Sequence, residues 1–407
     1  MRIASRYGAT PDKLHRALAQ LETVLERFEC HATFPITAVA LQRHSHRISE
    51  HQARGIEFAI HGYRHIDHSR LSQLEQIAQL ALARRIFALA GIQAQGFRCP
   101  YLRWNPDTVS ALQAQGFAYD SSQALAWDVL DGRETPAYRQ ALSFYGALSA
   151  HQYPSLPRLE QGLVRIPYSL PDDEALVERL SLDTPTQMSE LWLEVLRRTF
   201  ELGELFTVGL HPERASFCQE ALASVLEQAR SLSPSVWIAR LDEIAAWWRA
   251  RALAVVQIAD AGDGALALRV DGPAGTVVLT RAVQVNAPTA LWAGGYHQVR
   301  NTSLVLRAPL RPWIGVSRST SLELSDWLRQ QGYIVEISEE RQRYSCYLDH
   351  AEFTASQERA LLDKIENGNF PLVRLGRWPH GARSALAVTG DIDALTLWDY
   401  GLRLWER

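Results

Sequence analysis

Lysine is nearly missing from this chain. Lys13 and Lys364 are its two lysines among 407 residues, and arginine carries the basic charge instead. We read that bias as genomic base composition with no bearing on function. The net charge is only -3, and no basic stripe calls for nucleic acid. Cysteine is scarce too. Cys30, Cys99, Cys218 and Cys346 are widely spaced and form no CxxC pair, which argues against a disulfide framework or a zinc ribbon and leaves reduced thiols. No apolar run reaches the ~18 residues of a membrane span. No apolar targeting segment follows Met1 and Arg2 before Asp12, Lys13, His15 and Arg16 intervene, so the expected location is cytoplasmic. No internal repeat and no low-complexity tract interrupts the chain. What remains is 47% hydrophobic and 21% charged, a globular composition in a chain too long for one average domain.

The chain changes character near residue 250. Before it, apolar runs alternate with amphipathic stretches. Leu14, Leu18, Leu21, Leu25 and Phe28 recur at helical spacing, and residues 71–89, 107–115, 188–202, 218–231 and 242–251 read as helices. Short apolar runs at 32–40, 56–60, 96–98, 163–166, 206–210 and 236–239 read as strands. Alternation of this kind means parallel strands with helical crossovers, an α/β sheet or barrel. Residues 251–311 are β-rich, with runs at 255–258, 265–270 and 276–280 separated by turn-forming stretches, and predict a small antiparallel unit. Residues 312–407 return to α/β alternation.

Several short constellations carry chemistry. His61-Gly62-Tyr63-Arg64-His65 follows the apolar run 56–60. Two histidines four apart share one face if the segment is a helical turn, and can hold one divalent metal. A polar loop that is His-rich by composition is the plainer alternative, but ligand-bearing loops of α/β domains sit at strand carboxyl ends. Arg98-Cys99-Pro100-Tyr101 stands at another strand end. An arginine there can orient a catalytic carboxylate, and proline can fix the next backbone N–H toward a developing oxyanion; taken alone, an ordinary strand-to-loop exit with a surface arginine explains it better. His211 ends the run 206–210 and suits a general acid, or a histidine that merely precedes Pro212.

In this order the three segments resemble one family. His61–His65 is similar to the metal-binding H-x-x-x-H motif of polysaccharide deacetylases, the NodB-homology domain. Arg98–Tyr101 resembles their R-x-P-Y motif, and Leu210-His211 their late L-x-H motif. Ala32-Thr33-Phe34 and GFAYDSS at 116–122 resemble two of their strands. The resemblance covers residues 1–250 and implies a distorted (β/α) barrel that removes acetyl groups from amino sugars with a divalent metal, zinc being the expected ion.

One motif is out of place. The family's first strand carries an acidic pair, yet the corresponding stretch here reads Ser5-Arg6-Tyr7-Gly8. The C-terminus instead carries Thr389-Gly390-Asp391-Ile392-Asp393 after the apolar run 385–388, which resembles the missing motif in a D-x-D form. Two carboxylates flanking one residue of an extended segment point the same way. That segment either completes the barrel of its own chain as a circular permutation, starts a second truncated unit, or leaves the N-terminal domain an inactive relic. We favour the first. The resemblance then implies that His61, His65 and Asp393 hold the metal and that Asp391 is the base. Arg98 keeps Asp391 ionised and oriented, the Tyr101 N–H faces the oxyanion, and His211 is the acid. A further acidic pair, Asp172-Asp173, could reach the same face, but reads rather as negative charge at a helix start. The expected partner is a carbohydrate, an N-acetylated amino sugar. The alternatives are a non-sugar amide as substrate, or a catalytically inactive carbohydrate- or partner-binding module on the same barrel.

Overall fold

The computed structural model describes residues 6–182 and 184–405. Ser5 of the SRYG stretch, like Met1 and Arg2, lies outside the described residues.

The main sheet runs Leu205–Leu210, Ser384–Gly390, Ala32–Ile36, Glu57–Ile60, Gly96–Phe97, Tyr119–Asp120, Leu163–Arg165 and Arg158–Glu160, with Val236–Ile238 pairing the start of Ser384–Gly390. Every pairing is parallel except the last hairpin. The C-terminal strand therefore sits inside the sheet, with Leu210 opposite Gly390 on one side and Ala32 opposite Val388 on the other. All seven of its residues are buried, which fits its Ala-Leu-Ala-Val core: a parallel strand covered on both faces has no polar side to present.

The sheet curls without closing by a continuous ladder. Beyond Pro167 the chain leaves it, and Tyr168–Leu170 joins a small sheet with Ala124–Ala126 and Leu148–Ser149. Thr207 bridges the gap. Its N–H donates to Ser169 Oγ at 3.3 Å and its Oγ1 to the Pro167 carbonyl at 2.8 Å. Gly209 permits the approach, because a Cβ there would lie 2.0 Å from the Tyr168 hydroxyl. The result is a distorted (β/α) barrel.

Helices wrap it for reasons readable in their ends and faces. Asp12–Arg27 buries Leu14, Leu18, Leu21 and Leu25 against the core. Gln73–Leu89 starts at a reciprocal Ser72–Glu75 cap, and Pro106–Ala114 at an Asn105–Thr108 cap with proline at its first position. The apolar run 32–40 divides: the strand Ala32–Ile36 stops at Thr37, and Ala38–Gln52 is a helix. The boundary is hidden in the sequence because Ala38, Ala40 and Leu41 on the helix's first turn are buried as deeply as the strand.

The chain between the helix Leu241–Ala252 and the strand Ser384–Gly390 builds a separate layer. Val255–Gly262, Ala265–Asp271, Ser303–Arg307 and Gln284–Val285 form one antiparallel sheet. Val278–Arg281 pairs instead with His297–Val299 and Leu372–Leu375, so the β-rich stretch and the α/β stretch after it share a sheet. Arg311–Val316 is flanked in parallel by Val335–Ile337 and Tyr344–Leu348. This layer packs on the amino ends of the barrel strands. Trp247, Trp248, Trp327 and Trp378 cluster there with Leu205 and Ala385, and the Trp378 indole N–H donates to the Gly203 carbonyl at 3.1 Å. The opposite, carboxyl ends stay clear of it and carry the site.

Candidate active site

Four strands of the main sheet end in polar residues at one rim: Ile60 leads to His61, Phe97 to Arg98, Leu210 to His211 and Gly390 to Asp391. The HGYRH segment is an irregular loop rather than a helical turn. Gly62 makes it possible at φ +80, where a Cβ would also meet the Arg64 carbonyl at 2.8 Å. The loop still turns both imidazoles the same way, with ring centroids 5.2 Å apart.

His61 Nδ1 donates to the Arg98 carbonyl at 2.9 Å, which leaves Nε2 as the ligating nitrogen. That Nε2 lies 3.4 Å from Asp393 Oδ1 and 3.9 Å from Asp391 Oδ2. His65 Nε2 lies 3.1 Å from the same Asp393 oxygen. One ligand atom from each of His61, His65 and Asp393 falls within 4.8 Å of the others. Burial is the main force on His65 and lowers it to about 4 despite Asp393, so the ring is neutral. Burial alone would raise Asp393, but Arg403 and His65 overcome it and hold the carboxyl well below its usual range. A neutral imidazole at His65 and an ionised Asp393 suit a divalent metal.

Asp391 is held separately. Arg98 is fully buried and anchored by two bonds to Ser121, from Nε to the carbonyl at 3.0 Å and from Nη2 to Oγ at 2.9 Å. Its Nη1 donates to Asp391 Oδ1 at 2.8 Å, and its guanidinium lies 4.6 Å above the Tyr168 ring. Tyr101 occupies a left-handed backbone conformation, φ +58, and its ring meets His65 edge-on at 4.3 Å.

His211 faces this group across a cavity of about 530 Å³ lined by His61, His65, Tyr101, His211, Asp391 and Asp393. Arg98 lies beneath, reaching the cavity only through Asp391. His211 is gripped by Asp173, which accepts its backbone N–H at 2.8 Å and its Nδ1–H at 2.7 Å. Burial would lower this imidazole, but the Asp173 carboxylate reverses that and raises it well above its ordinary value. Asp173 correspondingly falls to about 2: His211 and Arg214 outweigh the burial that would raise it. The helix-start reading of the acidic pair thus fits only Asp172, whose Oδ1 accepts the Ala175 N–H at 2.8 Å while Oδ2 takes the Tyr168 hydroxyl. Burial and the adjacent Asp173 lift Asp172 to about 6.

Sequence reasoning missed Arg403. It projects from the C-terminal helix Leu397–Trp405, donating from Nη1 to Asp393 Oδ2 at 2.8 Å and placing Nη2 2.7 Å from His65 Nδ1. Its position ten residues beyond Asp393 carries no local signal, because the intervening turn decides where the helix points.

Parts of the chain are similar to known proteins. Residues 8–119, which hold the His61, His65, Arg98 and Tyr101 segments, match the family model described as Polysaccharide deacetylase. That stretch of the chain is similar to the polysaccharide deacetylases. A peptidoglycan deacetylase-like protein of Gibberella zeae is 39% identical over 69 residues, 17% of this chain and 20% of that protein. The match thus spans about a fifth of that relative's length. A putative polysaccharide deacetylase from Mycobacterium smegmatis is similar at TM-score 0.46 and 23% identity, covering 56% of this chain and 76% of the other. A probable polysaccharide deacetylase from Pseudomonas aeruginosa gives TM-score 0.46 and 23% identity over 57% and 73%.

Proposed function

We propose that the chain is a hydrolase that removes an acetyl group from an N-acetylated amino sugar or a related carbohydrate amide. The observation that carries this reading is convergence: His61, His65 and Asp393 meet as one donor set beside Asp391, with His211 across the same cavity. His61, His65 and Asp393 would hold a divalent metal, zinc being the expected ion, which when bound supplies Lewis acidity and acidifies water.

The chain's own residues account for the rest. Arg98 occupies Asp391 Oδ1, which leaves Oδ2, on the His61 side, to take the proton of the attacking water. As the water oxygen bonds to the acetyl carbon, negative charge develops on the carbonyl oxygen; the Tyr101 backbone N–H is the donor we assign to it. The C–N bond then breaks, and His211, kept in its acid form by Asp173, gives its proton to the leaving nitrogen. Acetate and a free amine result.

One observation favours the rival reading, an inactive carbohydrate-binding module. Arg403 already neutralises Asp393 and touches His65, so the donor set has an internal counter-cation. Acetate release from N-acetylglucosamine oligomers separates the two. The hydrolase reading expects release that stops on chelation and returns with zinc. Binding of the oligomers without release under any divalent metal would favour the module.

A further inference from the structure

The seam between the barrel and the outer layer holds a group of buried cations that the hydrolase reading does not use. Arg251 ends the helix Leu241–Ala252, Arg374 lies in the strand Leu372–Leu375, and Arg377 follows it. Their exposures are 2%, 2% and 5%. Glu366 is the carboxylate that meets them, with Oε1 3.4 Å from Arg374 Nε and 3.9 Å from Arg377 Nη2. The Tyr333 hydroxyl donates to the same oxygen. Arg251 makes no ion pair among the described residues. It donates to the Gln330 carbonyl and stacks 4.3 Å from the Trp248 ring.

Three guanidinium charges therefore share a buried seam with one carboxylate, and Arg383 adds a fourth cation at its edge, against Trp292. The imbalance is also one of hydrogen bonds. Nε and Nη1 of Arg251 and Nε of Arg377 are buried without a hydrogen-bond partner, and Arg374 Nε and Arg377 Nη2 have only their longer ion-pair contacts with Glu366. Burial, then Arg377 and Arg374, depress Arg251 to about 9, the direction expected where cations crowd without counter-charge. Trapped water can satisfy N–H groups but cannot balance charge, and a buried unpaired charge is among the costliest features a fold can carry.

We propose that Arg251, Arg374 and Arg377 form a binding site for one small inorganic anion, chloride or an oxyanion such as phosphate. Spherical or tetrahedral, such an ion accepts several N–H donors at once and brings the missing negative charge. Arg251 belongs to a helix of the barrel wall and Arg374 and Arg377 to the outer layer, so the ion ties the two together. It acts on stability and leaves the chemistry at the far rim alone.

The test uses the full chain dialysed into gluconate, a bulky organic anion, and then titrated at constant ionic strength with chloride in one arm and phosphate in the other. An ion that binds the folded state alone raises the melting temperature along a saturating curve, by a few degrees at ~100-fold excess over Kd. The arm with the lower midpoint identifies the ion class. Arg251→Gln should flatten the curve. A wild-type melting temperature indifferent to both anions, or an unchanged response in Arg251→Gln, would overturn the site. If that variant does not fold, crystals of the wild type grown in bromide and, separately, in arsenate decide: an anomalous peak between Arg251 and Arg377 with either anion supports the proposal, and its absence with both, the side chains being ordered, refutes it.

Discussion

The two ends of the barrel solve the problem of buried charge in opposite ways. At the carboxyl rim, charges come in matched pairs: Arg98 with Asp391, Arg403 with Asp393, and His211 with Asp173. At the amino end, tryptophans do the packing and arginines outnumber carboxylates. One strand serves both. Ala385 enters the tryptophan cluster, and Gly390 delivers Asp391 to the rim. The difference shows that pairing at the rim is local and directional, with each partner aimed by its own anchors, while the amino end is held by area. Substitutions at the rim should therefore change chemistry and leave the fold intact.

Asp391→Asn should have the largest effect. The amide keeps an oxygen for Arg98 but cannot accept the water's proton, so kcat should fall on the order of 10²–10⁴-fold with metal content and melting temperature unchanged. A comparable loss of stability would mean that the Arg98–Asp391 pair is structural and that the contrast between the two ends is misdrawn.

Asp173→Asn should act less strongly, through His211. Asp173 raises the imidazole well above its ordinary value, so the acid form persists to high pH in the native chain. Without that carboxylate the ring loses its proton earlier, and the high-pH limb of the kcat/KM profile should move to lower pH. At neutral pH the loss should be roughly ten- to a hundredfold, below the full contribution of a general acid. An unmoved limb would remove His211 from the role of acid.

Much of this rim is visible in the sequence because each motif directly follows an apolar run: His61 after 56–60, His211 after 206–210, Asp391 after 385–388. The C-terminal D-x-D is legible for another reason: the N-terminal motifs lack an acidic partner, and 385–388 reads as a strand able to enter a parallel sheet. Residues that act through tertiary geometry are not legible. Asp173 has an ordinary helix-start context, and its partner lies 38 positions away. Arg403 reaches Asp393 only because Thr396 and Asp399 cap the final helix, with Asp399 accepting the Thr396 N–H at 3.1 Å. Thr207, which bridges the barrel's broken ladder, looks like any strand threonine. In the outer layer, Ala290–Leu291 and His297–Val299 are too short to show a period of two.

The central claim is that the last strand of the chain completes a metal site begun by the HGYRH loop. Metal content of the purified protein tests it most directly, measured for the native chain, His65→Ala and Asp393→Asn after equilibration with zinc. The account expects about one ion per native chain, near none in either variant, and native-like melting in all three. Full occupancy in Asp393→Asn would contradict it, because the C-terminal carboxylate would then lie beside the histidines without serving as a ligand.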